Sequence, residues 1–399
     1  MSAGPVMIMA GGTGGHVFPG LAVAAALRER GRGVVWLGTR RGLEARVVPQ
    51  HGIEIEWISI SGLRGKGVSA WMSAPFRAVF AVAQALAALR RSRASAVLGM
   101  GGFVSGPGGI AAWLARKPLL IHEQNAVAGT TNRWLTRFAV RVFEAFPGSF
   151  SAGVEVTCIG NPVRRSIASL PPAAARIAEL AREESGAAAV RRNGDAATAS
   201  GAAPAGPGVT TSAAAESPVR PPHLLVLGGS QGALALNRTV PAALAKLPAA
   251  RRPEVRHQAG ARHEETRAAY RDAGVEAEVV GFVDDMAAAY GWADVVVARA
   301  GALTISELTA AGLGGILVPY PHAIDDHQSR NAAWFVSAGA GAVITEPDLG
   351  PDRLAAELDE LLGNPARLAS MAEASRRLAR VDAADRLADA CLELAEGRQ

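Results

Sequence analysis

The sequence predicts an α/β protein made of two similar halves, each built on a parallel sheet. A short apolar run at residues 6–10 leads into the glycine loop GGTGGH, and a helical pattern over 19–30 follows until Gly31 stops it. The same order of strand, glycine loop and helix returns at 224–227, GGSQG and 233–247. Within each half, further short apolar strands alternate with helical stretches, which is the alternation that crossover connections between parallel strands require.

In the first half the further strands are expected at 34–37, 96–98 and 119–121, and in the second at 279–280, 295–298 and 316–318. A chain of 399 residues, 49% hydrophobic and 19% charged, is long and apolar enough for two or three domains with real cores. Residues 181–223 contain no Leu, Ile, Met, Phe, Trp or Tyr and so cannot bury a core; they read as a disordered linker or surface insertion. The expected division is therefore a first domain over 1–165, a linker over 166–222 and a second domain over 223–399. The Ala-, Leu-, Arg- and Glu-rich stretch 351–397 is expected to form helices that cover the second domain.

Charge is unevenly divided. Residues 1–165 carry 19 Lys/Arg against 7 Glu and no Asp, whereas the remainder carries 22 against 29 acidic residues. A basic half beside an acidic one points to an anionic partner, either nucleic acid or an anionic membrane surface. Aromatics at 5% disfavour the RNA reading, because RNA-binding sheets interleave aromatic with basic side chains. The start of the chain has no positively charged region before its short apolar run and reads as a strand, not a secretion signal. The longest apolar stretch, 78–89, includes Gln84 and falls short of the ~20 residues that cross a bilayer, so any membrane contact is expected to be peripheral. Cys158 and Cys391 lie too far apart for a CxxC unit, which leaves no sign of a disulfide framework or a zinc site.

Glycine loops between strand and helix let backbone N–H groups approach an anion. Three candidates occur, at 11–15, 99–109 and 228–232, and each taken alone reads equally well as a tight turn. None is a dinucleotide fingerprint: counted from Gly12, the sixth position of GxGxxG is Val17, and the next strand ends in Gly38 and Thr39 without an acidic residue for a ribose. GxxxxGK[ST] is absent, which excludes a P-loop hydrolase. In ADVVVARAGALTISELTAAG, a strand at 294–298 turns at Gly301 into a helix over 303–311 ended by Gly312. That helix start, with Thr304 near it, suits a diphosphate. Glu307, one turn in, either accepts hydrogen bonds from a ribose diol or is simply a glutamate favoured by the helix dipole. No Asp-x-Asp occurs in the chain. His322, His327, Asp325 and Asp326 read as a metal cluster or, more plainly, as a polar loop at the edge of a cleft.

GGTGGHVFP, GMGGFVSGPGG, HEQNAVAGTTNRWL, GNPVR, GGSQGALALN, DDMAAAYGWADVVVARAGALTISE and DDHQSRNA follow one another in this order. Over nearly the whole chain this series resembles the MurG family, bacterial enzymes that move N-acetylglucosamine from UDP-N-acetylglucosamine to lipid I, the undecaprenyl-pyrophosphoryl-MurNAc-pentapeptide, to give the peptidoglycan precursor lipid II. The resemblance implies a GT-B architecture, two Rossmann-like domains facing across a cleft, with the donor held mainly by the second domain and the lipid-linked acceptor by the first. Carried over motif by motif, the substrate-binding residues are Thr13, Gly14, Gly15, Asn125, Arg164, Ser230, Val283, Ala302, Leu303, Thr304, Ile305, Ser306, Glu307 and Gln328. No metal and no cofactor are implied. Ala300 stands where the family usually has Ser, His327-Gln328 where a Gln pair is common, and the insertion is long for the family.

The implied reaction inverts the anomeric centre, so the acceptor hydroxyl needs a base and the departing diphosphate needs positive potential. The helix opening at Leu303, the GGSQG loop and Arg164 suit the second need. His16, at a glycine loop entering a helix, is the expected base, because the dipole there favours a neutral imidazole. Its alternatives are to order the loop or to bind the acceptor diphosphate, and Glu123 is a rival base or an acceptor ligand. Between 71 and 93, Phe76, Val79, Phe80 and Leu86 recur at helical spacing, flanked by Arg64, Lys66, Arg77, Arg90, Arg91 and Arg93. Core packing accounts for some of these; the rest are expected to dock on the anionic inner leaflet, placing the protein peripherally on the cytoplasmic face of the inner membrane, with other wall-building proteins as further partners and no nucleic acid. A GT-B relative such as a UDP-N-acetylglucosamine 2-epimerase and a catalytically silent UDP-sugar sensor are the competing readings.

Overall fold

The structure, a computed structural model, describes residues 4–60, 68–179, 220–229, 232–323 and 326–397, with 68–73 described in backbone only. Arg64, Lys66, Ser230, Asp325 and most of the 181–223 segment therefore lie outside the described residues.

Two parallel sheets are present, as the alternation of elements implies. The first joins β1 (Val6–Met9), β2 (Val34–Gly38), β3 (Glu54–Trp57), β4 (Ala96–Gly99), β5 (Leu119–Glu123), β6 (Arg141–Glu144) and β7 (Thr157–Cys158) in the order β3-β2-β1-β4-β5-β6-β7. The second joins β8 (His223–Leu227), β9 (Glu254–Gln258), β10 (Glu278–Val280), β11 (Val295–Ala298), β12 (Gly315–Leu317) and β13 (Gly341–Val343) in the order β10-β9-β8-β11-β12-β13. Strand order reverses between β1 and β4 and again between β8 and β11. Open α/β sheets bind ligands in the crevice beyond the strand ends at such a reversal.

β1 pairs in register with both neighbours, Ile8 lying between Trp36 and Leu98. Its side chains alternate between two cores: Val6 and Ile8 pack with Val17 and Leu27, Met7 and Met9 with Leu89 and Ala111. Central strands buried on both faces read as unbroken apolar runs, which is why the sequence shows them. β3 (EIEW) and β9 (EVRHQ) carry charge and were not expected; β9 still buries Val255 and His257 on alternate positions.

The helix after the first glycine loop runs Gly14–Glu29, starting five residues before Pro19. Proline disrupts a helix by lacking an N–H for the carbonyl four residues earlier, and here that carbonyl belongs to Gly15 in the first turn, so the helix tolerates it. Two boundaries also differ from expectation. Residues expected to be linker pack into the second core through Ile167 and Ile177. Of the tail helices, Pro351–Leu362 and Pro365–Leu378 cover the second domain, but Ala383–Ala395 crosses back and buries Leu387, Ala388 and Cys391 against the first. Arg30 fixes that helix through Asp385 (2.9 Å) and Asp389 (2.7 Å), both pairs partly exposed and therefore modest in energy.

Arg176 and Arg220, on either side of the insertion, both pair with the buried carboxylate of Asp294, at 3.2 and 2.7 Å. Burial works to raise the Asp294 pKa, and the hydrogen bonds from Arg220, the His223 amide and Arg176 more than offset it, leaving it lowered. Asp294 precedes β11, so the insertion leaves and rejoins at the amino-terminal edge of the second sheet, the edge away from the ligand crevice.

Candidate active site between the domains

The first glycine loop is tied down from beneath. The buried carboxylate of Glu44 accepts the Gly12 amide (3.0 Å) and both the amide and hydroxyl of Thr39 (2.9 and 2.7 Å), so one side chain ties the loops after β1 and β2 together. Thr13 is the N-cap residue, extended, with its hydroxyl not used in capping. Gly14 and Gly15 follow in the first turn, where N–H groups have no partner within the helix. Gly102, in the second glycine loop, has φ +81° and lies against the Gly11 carbonyl, so closely that a Cβ would collide with it. The His16 ring lies over Gly101, where a Cβ would sit 2.7 Å from Nδ1.

The end of β5 and the two residues after it then deliver four polar side chains, His122, Glu123, Gln124 and Asn125. Glu123 accepts four hydrogen bonds, from the amide and side chain of Asn125 (3.0 and 3.1 Å), the Gly129 amide (3.0 Å) and Asn132 (2.9 Å). Its oxygens organise the loop after β5, and it is buried. It is not placed as a rival base, because no lone pair is left facing the cleft. On the other face, His122 donates or accepts at both nitrogens, with Gly160 O 2.9 Å from Nε2 and Gln124 Nε2 3.1 Å from Nδ1, and Gln124 Oε1 lies 3.0 Å from His16 Nδ1. Burial lowers the His122 pKa to about 4, so its ring is neutral at physiological pH.

In the second domain the helix Ala302–Ala311 starts at Gly301, which caps it with no side chain; the Ile305 amide bonds Gly301 O at 3.0 Å. The amides of Ala302, Leu303 and Thr304 are thus the free donors of the first turn. Ile305 is not brought to the ligand crevice: its side chain is in the core and its amide closes the turn. The Ser306 hydroxyl donates to Ala302 O (2.8 Å) and accepts from Asn161 (3.0 Å). Glu307 is buried, with Arg164 Nη2 at 2.8 Å on one oxygen and the Tyr290 hydroxyl donating at 3.0 Å to the other. Burial raises the Glu307 pKa, and Arg164 and Tyr290 oppose that.

Arg164 links the halves: it pairs with Glu307 while its guanidinium lies 5.3 Å from the Phe18 ring centroid on the Gly14–Glu29 helix. Its Nε is buried with no hydrogen-bond partner among the described residues. Asn161 joins Gln124 O to Ser306 (both 3.0 Å), and Asn331 joins the Ala126 amide (2.9 Å) to Ala300 O (3.2 Å), so both asparagines bridge the domains. Beside these contacts runs a cleft of about 1030 Å³, whose walls include Phe18, Arg164 and Phe282 but neither His16 nor Glu307. Val283 follows Phe282 and is half-buried. Asn125 is half-buried at the domain boundary. Gln328 accepts the Tyr320 amide (2.9 Å), and the His322 ring packs edge-on against Tyr320.

Gln124, Tyr290, Asn161, Asn331 and Glu44 were not singled out by sequence reasoning. The period-two spacing of His122 and Gln124 was the available signal, since it puts both on one face at the end of β5. Tyr290 and Glu44 meet the site from distant elements, and no local spacing announces them.

Order reversals in both sheets, each with a helix start beside it, define a two-domain α/β protein with anion-binding sites on both sides of its cleft. Residues 6–144 match the Glycosyltransferase family 28 N-terminal domain and residues 223–387 the Glycosyltransferase family 28 C-terminal domain. The UDP-N-acetylglucosamine–N-acetylmuramyl-(pentapeptide) pyrophosphoryl-undecaprenol N-acetylglucosamine transferase of Nitrosococcus oceani is 54% identical over 98% of this chain and 99% of its own. The protein of the same name from Halorhodospira halophila is 51% identical over the whole of both chains. The crystal structure of Acinetobacter baumannii MurG superposes with a TM-score of 0.72 at 34% identity, covering 98% of this chain and 99% of that one. The chain belongs to the MurG family and is a GT-B glycosyltransferase.

Proposed function

We propose that this enzyme transfers N-acetylglucosamine from UDP-N-acetylglucosamine to the C4 hydroxyl of undecaprenyl-pyrophosphoryl-MurNAc-pentapeptide, with inversion. The observation that carries the reading is the pair of helix starts at Gly14 and Ala302, brought together by Arg164, with His16 on one and Glu307 on the other. The diphosphate is taken by the amides of Ala302, Leu303 and Thr304 and by Arg164, whose unpartnered buried Nε suits an anion. As Arg164 turns to the diphosphate, a ribose diol replaces it on Glu307, while Tyr290 keeps the carboxylate in place. Thr13, Gly14 and Gly15, with Asn125, Ser230, Val283, Ser306 and Gln328, complete the substrate contacts.

The acceptor oxygen attacks the anomeric carbon as its bond to the diphosphate oxygen breaks on the opposite face. The hydroxyl proton passes to His16, and UDP leaves with its charge held by the second helix start.

Features of the first domain support access from a membrane surface. The helix Val68–Ser92 buries Ala81, Ala85, Ala88 and Leu89 and leaves Phe76 (80%), Val79 (70%) and Phe80 (59%) exposed. Trp113, Leu114 and Trp134 add to the exposed apolar surface, with Arg116, Arg133 and Arg137 exposed nearby in sequence. Apolar side chains flanked by cations suit an anionic leaflet. No helix among the described residues is long and apolar enough to cross a membrane. A pocket of about 780 Å³ runs from Phe76, Arg77 and Phe80 to Gly11 and Gly12, a path by which a lipid-linked diphosphate reaches the first glycine loop.

Radiolabelled N-acetylglucosamine supplied as its UDP conjugate, with a lipid I analogue, tests the reading. Label is expected in the lipid product, with UDP released only when both substrates are present. Conversion of the donor alone to a 2-epimer, or donor binding with no UDP release, contradicts it.

A further inference from the structure

We propose that Gln124 and His122 are positioning residues that lock His16 in the tautomer with hydrogen on Nδ1, leaving the Nε2 lone pair to receive the acceptor proton. This rests on the reading of His16 as the base and adds how the fold prepares it.

The hydrogen positions follow from one fixed end. Gly160 O can only accept, so His122 Nε2, 2.9 Å away, carries a hydrogen. The neutral His122 ring then has its lone pair on Nδ1, where it must be met by a donor. Gln124 Nε2 supplies it at 3.1 Å, and the same amide nitrogen lies 3.2 Å from His122 O, a second acceptor, which fixes the orientation of the side-chain amide. Gln124 Oε1 is thereby turned to His16 Nδ1 at 3.0 Å, and a carbonyl oxygen there requires Nδ1–H. Each step leaves one choice.

The consequence is catalytic because neutral histidine in water prefers the opposite tautomer, with hydrogen on Nε2. In that form His16 would present a donor to the hydroxyl it is to deprotonate. The relay is also neutral throughout. His122 and Gln124 are buried, and the backbone carbonyl that anchors them belongs to the segment leading to Asn161 and Arg164, which bridge to the second domain. Gly101 completes the seat, since any side chain there would displace the His16 ring.

The test combines ¹⁵N-histidine NMR of the full-length enzyme with steady-state kinetics of Gln124→Met and Gln124→Glu. In the wild type, His16 Nδ1 is expected to show a pyrrole-type ¹⁵N shift and Nε2 a pyridine-type shift. Gln124→Met, which keeps the volume and removes the side chain's hydrogen bonds to His16 and His122, is expected to reverse that pattern and to lower kcat about 10- to 100-fold, within the range of a compromised general base, with KM for UDP-N-acetylglucosamine little changed. Gln124→Glu keeps an oxygen towards Nδ1 but loses the donor that His122 Nδ1 and O require, and is expected to retain the wild-type tautomer with turnover between those of the wild type and Gln124→Met. A wild-type His16 protonated on Nε2 overturns the inference whatever the variants do, and needs no variant to fold. Near-normal transfer by His16→Ala with the Nδ1–H tautomer intact in the wild type overturns the base reading instead, and with it the catalytic use of the relay.

Discussion

The two order reversals of this molecule share one local device and surround it with different side chains. After β1 and after β11 the chain turns through glycine into a helix whose first amides are free, and the side chain that follows decides the task. In the first domain that side chain is His16, the third residue of its helix, held through Gln124 and His122 in a chain of uncharged groups. In the second it is Glu307, one turn in, held by Arg164 and Tyr290. A neutral network suits a group that must accept a proton; an ion pair that ligand binding can divide suits recognition of a charged nucleotide. The comparison teaches that the fold supplies the anion sites and the neighbouring side chains supply the roles.

The largest effect is expected at the first reversal. His16→Ala should lower turnover at least ~100-fold, the scale of a lost general base, with UDP affinity little changed in a calorimetric titration. At the second reversal the effect should fall on binding: Glu307→Ala removes the proposed ribose acceptor and leaves Arg164 and Tyr290 without this partner, and UDP affinity should drop about 10- to 100-fold, as for loss of charge-assisted hydrogen bonds. If both substitutions altered kcat and affinity alike, the division of labour would be wrong. A third difference separates the domains by surface. Phe76→Ser combined with Phe80→Ser should weaken sedimentation with anionic vesicles about tenfold while leaving transfer to a soluble acceptor analogue intact, since two exposed aromatics lose their insertion energy. Wild-type vesicle binding should fall with added salt, and binding indifferent to salt would remove the electrostatic part of the proposal.

Acid stability is where the halves should behave alike. His122 in the first domain and His257 in the second are both buried, with pKa values lowered by desolvation to about 4 and about 3. The unfolded chain binds protons below its ordinary histidine pKa near 6.5 while the folded one does not, so stability is retained above that pH and is lost as pH falls towards 4, at about 1.4 kcal/mol per unit per histidine. Urea midpoints measured from pH 7 to pH 4 should decline accordingly. Asp294 has the opposite balance of groups and a later window: its lowered pKa adds stability above its ordinary value of 3.8 that disappears only below it. Asp294→Asn should therefore cost stability at neutral pH, leave the slope between pH 7 and pH 4 unchanged and flatten the decline only below pH 3.8, the smallest of these changes.

The sheets were legible in the sequence where strands are buried on both faces. Residues 6–10, 224–227 and 295–298 announce themselves as apolar runs bounded by glycine, and the helix ended by Gly312 (φ +64°) begins within one residue of expectation. Strands with a charged or half-exposed side, such as β3 and β9, did not, because their pattern is not separable from a loop over four or five residues. The return of Ala383–Ala395 to the first domain was hidden for a different reason: an Ala/Leu-rich helix reveals which face it buries but not against what. In the site, the glycine motifs are legible as strand-to-helix turns, whereas the four hydrogen bonds that Glu123 accepts and the contact of Gln124 with His16 depend on residues that no local spacing brings together.

UDP titration of the wild type and His16→Ala, set beside single-turnover transfer by the same two preparations, tests the base role of His16 most directly. The two proteins should bind UDP with matching affinity and differ at least ~100-fold in the transfer step. A His16→Ala protein that loses affinity in step with turnover, or that transfers as fast as the wild type, would contradict that role.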